Sequence, residues 1–279
     1  MTSSPSLLPE VDVVIPSFNE PALAIRRTMD ALRRQTHQPR SITFVDDCSP
    51  DRAGLKAAEA AGARTLRMER NGGISAARNA GLRASTAPLV AFVNVEVLLA
   101  DDWLATCASH MQLHARVAVT TARTVPENQR SLVTRWRMRY HEVAYPTTTG
   151  PIAWGSGHAL LFRRDALLAI GGFDERRWKA GEDVDACFRL GAAGWNVHFV
   201  SATQATSIQE DSWATIARAE YNRSIWRADS GNGLWRGLAI ATDRTIQRSL
   251  RHVLFLRWPL LYVEVGVYLA QLPRHWRHR

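Results

Sequence analysis

Short apolar runs that stop abruptly at polar clusters recur along the first half of this chain. Val11 to Glu20 reads VDVVIPSFNE, Ser41 to Asp51 reads SITFVDDCSPD, and Pro88 to Glu96 reads PLVAFVNVE. Such runs, rich in branched residues and bounded by turn formers, predict buried strands. Each delivers polar groups at its carboxyl end. Between them lie helical signals: Asn19 is placed to cap the next helix, and Pro21 suits a first turn. Asn71 to Gly81, NGGISAARNAG, reads as a glycine turn feeding a helix. Gly181 to Leu190, GEDVDACFRL, sets three carboxylates at the mouth of a helix whose other face is apolar. Trp195 to Val200 predicts another strand, and Asp211-Ser212 opens a predicted helix through Ala219 and Tyr221 toward Ile225. Strands alternating with helices predict an α/β fold.

The polar ends carry the candidate chemistry. Open α/β sheets offer a ligand crevice at the carboxyl ends of their strands. Asp46 and Asp47 sit at one such end, where a carboxylate can accept the imide N–H of uracil or thymine. The same pair, followed by Cys48-Ser49-Pro50-Asp51, is equally good turn chemistry. Backbone amides after Asn71-Gly72-Gly73, with Arg78, can face an anion. In GEDVD, a carboxylate near an acceptor hydroxyl can act as a general base with a supporting neighbour. The plainer account is that acids at a helix start complement its dipole.

Taken together, VDVVIPSFNE, VDDCSPD, NGGISAARNAG, GGFDE at Gly171 to Glu175 and GEDVD at Gly181 to Asp185 resemble a family 2 glycosyltransferase of the GT-A fold. The resemblance spans roughly Val11 to Val200. It implies a Rossmann-like, mixed, mostly parallel sheet flanked by helices. It implies nucleotide-sugar contacts from Pro16, Phe18, Glu20, Asp46, Asp47, Gly73, Arg78, Asn94 and Glu96, with Asp47 near the base and Arg78 at the diphosphate. Asp183 matches the family's catalytic base, with Glu182 beside it and Asp185 in support. Trp154-Gly155-Ser156-Gly157-His158 resembles the loop lining the acceptor side, which implies acceptor contacts from Trp154, Gly155 and His158. Trp154 can stack on a sugar or pack in the core.

Two departures bear on metal. The resemblance implies a divalent ion, Mg²⁺ or Mn²⁺, held by an Asp-x-Asp motif, but Asn94-Val95-Glu96 stands here. Glu96 keeps one hard oxygen ligand, and Asn94 offers a neutral carbonyl. No histidine follows the strand at Val200, where the family often has one. The expectation is a weakened or absent metal, with cations and amides stabilising the departing diphosphate. A noncatalytic relative that binds a nucleotide sugar or a protein is the alternative.

Composition narrows the picture. A chain of 279 residues with 46% hydrophobic content can bury a large core. The expected division is a flexible 1–10, a catalytic domain over 11–210 and a helical segment over 211–279. Cys48, Cys107 and Cys187 are widely separated and form no Cys-x-x-Cys pair, so neither a disulfide framework nor a zinc motif is indicated. Lysine plus arginine is 35 against 26 acids, a net charge of +9. The cations are nearly all arginine, which suits phosphates, but no nucleic-acid-binding motif is present. Met1 to Glu10 lacks a secretory pattern, so a cytoplasmic protein is expected. Val253 to Leu272 is apolar but interrupted by Arg257, Pro259 and Glu264, followed by Arg274, Trp276, Arg277 and Arg279. It reads as an interfacial helix at the inner face of the membrane or as a helix packed on the domain. The processive enzymes' Gln-x-x-Arg-Trp motif is missing, so transfer of a single sugar is expected.

Overall fold

The computed structural model describes residues 7–140, 145–176 and 181–217, together with 219, 242, 246, 247, 249 and 265–269. In chain order the elements are β1 (Val11–Ser17), α1 (Ala22–Arg33), β2 (Ser41–Asp46), α2 (Ala53–Ala60), β3 (Arg64–Arg67) and α3 (Gly73–Ala84). Then come β4 (Leu89–Val93), β5 (Val97–Leu99), α4 (Trp103–Leu113), β6 (Val117–Pro126) and α5 (Leu132–Tyr140). The last described elements are β7 (Gly150–Ile152), β8 (Ala159–Arg163), α6 (Arg164–Ala169), α7 (Glu182–Ala192) and β9 (Asn196–Ser207).

Alternation along the strands decides which side of the sheet each residue serves. Val11, Val13 and Ile15 of β1, with Leu89, Ala91 and Val93 of β4, join one buried cluster, against Ile25, Met29 and Leu32 of α1 and Trp103, Leu104 and Met111 of α4. Val14, Val90 and Phe92 point the other way, against Ala77, Ala80 and Leu82 of α3 and Ala186, Cys187 and Leu190 of α7. The strands between are apolar on both faces because helices cover both. Phe92, Phe162 and Phe173 lock the second cluster edge to face, with ring centroids 5.0 to 5.7 Å apart.

The sheet is mixed, in the order β3-β2-β1-β4-β8-β6-β9-β5, with β7 on β9. Strands β1 to β4 pair in parallel, as right-handed crossovers through α1, α2 and α3 require. β8 runs antiparallel to β4, and β5 and β7 run antiparallel to β9. The reversal beside β4 brings the end of β4 next to the start of β8.

The chain divides into two compact units. The first draws on Met1–Val125, Tyr145–Trp178 and Glu182–Ile208 and contains the sheet; the second takes in Pro126–Ala144, Lys179–Gly181 and Gln209–Arg279. In the second unit Val133, Trp136, Ile216 and Val267 form a small core with Trp213 beside it, and Arg137 pairs with Asp211 at 2.8 Å. The helix expected after Asp211-Ser212 begins there: the Ser212 hydroxyl accepts the Thr215 N–H at 3.2 Å, and the Thr215 hydroxyl accepts the Ser212 N–H at 2.9 Å. Its continuation through Tyr221 and Ile225 lies outside the described residues, as do residues 1–6 of the N-terminal stretch and most of Val253 to Leu272. Among the described residues no helix is long and apolar enough to cross a membrane.

One local expectation fails. Asn19 does not cap α1, which starts behind Pro21 with no side-chain cap. Asn19 instead takes a left-handed φ of 57° and donates its backbone N–H to the Ser49 hydroxyl at 2.8 Å. The turn after β1 is thereby tied to the turn after β2, a long-range bond that local capping rules cannot anticipate.

Candidate active site

The carboxyl ends of β1, β2 and β4 share one edge because the three strands are parallel neighbours in register. Pro16 is buried within β1 and shapes the strand end. Phe18, just beyond, is 46% exposed. Glu20 is half-buried; burial first, and then the Glu96 charge, push its carboxyl up to about 7. Two carboxylates from different strand ends therefore converge, which neither motif alone revealed.

The two aspartates at the end of β2 separate in role. Asp46 accepts the Ser49 N–H at 3.2 Å, the Ser49 hydroxyl, and the Arg67 guanidinium. It clamps its own turn, and the turn-chemistry account holds for it. Asp47 reaches across to α3: its Oδ1 accepts the Gly72 N–H at 2.8 Å and its Oδ2 the Gly73 N–H at 2.7 Å. Burial raises the Asp47 pKa, the Asp46 charge adds to the rise, and the two amides pull it back. The α3 amides that were expected to face an anion through Gly73 are thus already spent on an internal carboxylate. Gly73 has a φ of 82°, and a Cβ on Gly72 would lie 2.8 Å from that of Ala76, so this close turn requires the glycines.

Arg78, expected at the diphosphate, is 1% exposed and works inside the protein. Nη1 donates to Glu182 Oε1 at 2.5 Å; Nη2 donates to the Gly157 carbonyl at 2.8 Å and to Asn94 Oδ1 at 3.2 Å. Its guanidinium lies over the Phe173 ring, 5.4 Å from the centroid. Packing places Arg78 on the buried side of α3, and the sequence alone does not say which way a long cation points. Asn79 is a second internal clamp: its Nδ2 donates to the Phe173 carbonyl, and its Oδ1 accepts the Phe173 N–H, both at 2.8 Å. It holds the Gly171-Gly172-Phe173 bend, where both glycines take positive φ.

At the start of α7 the acidic run divides three ways. Glu182 is buried against Arg78; burial pushes its carboxyl up to about 7, Arg78 pulls it down, and the Asp183 charge pushes it up again. Asp183 Oδ2 accepts the Gly157 N–H at 2.6 Å, and Oδ1 accepts the Val184 N–H at 2.9 Å. Asp185 turns to Arg189 at 2.7 Å, and that arginine also donates to the Ile170 and Gly172 carbonyls, so Asp185 supports the scaffold.

The loop before β8 meets this cluster. Gly155 is buried, and a Cβ there would lie 2.6 Å from Leu160 Cδ2, so the loop packs too closely there for a side chain. Trp154 packs on the second core cluster, the second of the two accounts the sequence left open. The His158 carbonyl accepts the Asn94 N–H at 3.0 Å, and its Nδ1 meets the Ser156 hydroxyl at 2.7 Å. Gly157 is the residue sequence reasoning passed over. Its only signal was a glycine between two polar residues.

The donor set for a metal is thin. Asn94 Oδ1 is taken by Arg78, and Asn94 Nδ2 faces Glu96 Oε1 at 3.4 Å. Among the described residues no group of three or more His, Cys, Asp or Glu is arranged to hold an ion. The side chains present therefore do not by themselves fit the divalent metal that the resemblance implies.

An open α/β sheet with parallel strand ends, a reversed partner beside β4 and an acidic helix start opposite it defines a domain of the GT-A class. The sequence model of glycosyl transferase family 2 matches residues 12–171, and the chain belongs to that family. An N-acetylglucosaminyl-diphospho-decaprenol L-rhamnosyltransferase of Mycobacterium tuberculosis is 33% identical over 130 residues, 42% of this chain and 42% of the relative. A pre-mycofactocin glycosyltransferase of the same organism is 30% identical over 204 residues, 68% of this chain and 41% of that protein. The chain thus spans about two fifths of the length of these relatives. Among solved structures, the mannosyltransferase PcManGT of Pyrobaculum calidifontis, in complex with GDP-Man and Mn²⁺, superimposes with a TM-score of 0.68 at 17% identity. It covers 99% of this chain and 89% of its own. GalNAc-T7 with UDP, GalNAc and Mn²⁺ gives 0.61 at 16% identity, covering 80% of this chain and 51% of its own. At these identities the structural likeness speaks for the fold.

Proposed function

We propose that the protein is an inverting, nonprocessive glycosyltransferase that moves one sugar from a nucleoside-diphosphate sugar to an acceptor hydroxyl, with Asp183 as the base. The observation that carries this reading is the Asp183 carboxylate, held among the described residues by neutral backbone amides, from Gly157 at 2.6 Å and Val184 at 2.9 Å, and linked through Gly157 and Arg78 to Asn94 at the end of β4. A base needs that freedom from a permanent counter-charge.

In the proposed reaction the acceptor O–H gives its proton to Asp183 while its oxygen attacks the anomeric carbon. The bond from that carbon to the diphosphate oxygen breaks on the opposite face, and the nucleoside diphosphate departs with the electron pair. Asp47 meets the imide of a uracil or thymine base through the lone pairs its two amides leave, and Phe18 offers a face for the ring. Glu20, Asn94 and Glu96 line the sugar and phosphate side. His158 lies on the acceptor side through its partnership with Ser156. The M. tuberculosis relative is named for L-rhamnosyl transfer with N-acetylglucosaminyl-diphospho-decaprenol, so a sugar linked to a polyprenyl diphosphate is the first acceptor class to assay.

The test is turnover. Native protein and Asp183→Asn are given UDP-, dTDP- and GDP-sugars with polyprenyl-diphosphate sugars as acceptors, with manganese and with EDTA. Asp183→Asn is expected to lose transfer by about 10³-fold or more while UDP binding by calorimetry changes less than about threefold. Equal transfer by both proteins overturns Asp183 as the base. No transfer by the native protein, with UDP still bound, leaves the noncatalytic binding module as the reading.

A further inference from the structure

We propose that Arg78 is the positioning residue of this site: its guanidinium fixes Gly157, whose amide in turn aims the Asp183 carboxylate. The inference rests on the reading of Asp183 as the base and adds what holds that base in place.

The contacts form a closed ring. Arg78 donates to Glu182 at 2.5 Å and to the Gly157 carbonyl at 2.8 Å. Gly157 donates its own N–H to Asp183 at 2.6 Å, and Asp183 follows Glu182 in the chain. Arg78 therefore constrains the base from both sides, through the loop that touches it and through the helix residue before it. A third bond, to Asn94 at 3.2 Å, ties the same guanidinium to the end of β4. The planar guanidinium spreads its donors over a rigid fork that spans acceptors on three separate segments, whereas the donors of a lysine crowd around one compact charge.

Gly157 shows how closely the ring is drawn. A Cβ there would lie 2.8 Å from Asp183 Oδ2 and 3.1 Å from Arg78 Nη2. The loop passes between base and cation with no room for a side chain. Charge is apportioned in the same economy: Glu182 faces the guanidinium, and the two other acceptors are neutral oxygens. Asp183 is thereby positioned by the cation without being paired to it.

Stability does not explain the arrangement. The Arg78 and Glu182 side chains are 1% and 6% exposed, and burying an ion pair seldom stabilises a fold more than apolar residues of similar size do. Replacing both partners by apolar side chains of similar size should leave the fold intact while freeing the Gly157 loop, and with it the aim of the base.

The test uses the full chain carrying Arg78→Met and Glu182→Met together. The readouts are thermal unfolding, UDP calorimetry and release of nucleoside diphosphate from UDP-, dTDP- and GDP-sugars with acceptor present. A displacement of about 1 Å at a reacting group costs on the order of 100-fold. The expected result is turnover down by about that factor, with melting and UDP affinity close to native. Arg78→Lys should not rescue it. A double variant that keeps native turnover overturns the proposal. If the double variant fails to fold, Gly157→Ala decides: the same loss with native melting and UDP affinity supports the ring, and native turnover overturns it. Full turnover by Asp183→Asn, or none by the native protein, removes the base on which the inference rests, and Asp183→Asn separates that failure from failure of the ring.

Discussion

Asp47→Asn separates two roles that one carboxylate holds at the end of β2. In the native protein both oxygens accept backbone N–H groups, from Gly72 at 2.8 Å and Gly73 at 2.7 Å, in a setting where Asp47 is 3% exposed. Asparagine keeps one acceptor and turns the other into a donor facing a donor. Losing a hydrogen bond to a charged group costs about 1.5–3 kcal/mol, and stranding the buried N–H adds about 1–3 kcal/mol. Against this, the substitution removes a charge that burial and the neighbouring Asp46 disfavour. A net loss of about 2 kcal/mol follows, which for a chain of this size lowers the melting midpoint by about 4–8 °C. Circular dichroism melts measure the staple, and UDP calorimetry of the folded variant measures base reading, where a fall of about tenfold or more is expected because the asparagine can no longer offer two oxygens. A variant that melts within about 1 °C of native refutes the staple. Unchanged UDP affinity refutes Asp47 as the base reader.

Glu20→Gln is expected to stabilise the protein above neutrality. Folding raises the Glu20 pKa from 4.5 to about 7, so its favourable contribution is complete below about 4.5 and is lost as pH rises through about 7. Melting curves should show the variant above native at pH 8 and level with it at pH 4.5; equal midpoints at both pH values count against a buried, repelled carboxylate. Gly81→Ala is expected to destabilise although alanine favours helix by about 1 kcal/mol, because its Cβ would lie 2.2 Å from Val14 Cγ1 where α3 packs on β1. Overpacking costs about 1–3 kcal/mol, and adding Val14→Ala should recover part of the loss in a double-mutant cycle by denaturant unfolding. A strictly additive pair would show that α3 and β1 do not meet there.

The amino-acid sequence was enough for the α/β class and for the strands β1, β2, β4 and β9, because apolar runs ending in polar clusters and glycine turns before helices are local signals. It also pointed to the family, since five motifs in order are hard to assemble by chance, and GEDVD marked the acidic start of α7. Tertiary structure decided the partners. Asp46 and Asp47 are adjacent in sequence, yet one closes its own turn and the other spans to α3, because successive residues at a strand end point opposite ways. The arginine surplus suited phosphates, but Arg33, Arg163, Arg164 and Arg189 donate to backbone carbonyls of the scaffold, and Arg67 and Arg78 to buried carboxylates. A long side chain has many directions open to it until the core around it is packed. Gly157 acquired its place in the same way: β8 folds back antiparallel on β4, and only that pairing brings a glycine of one loop between an arginine of α3 and an aspartate of α7.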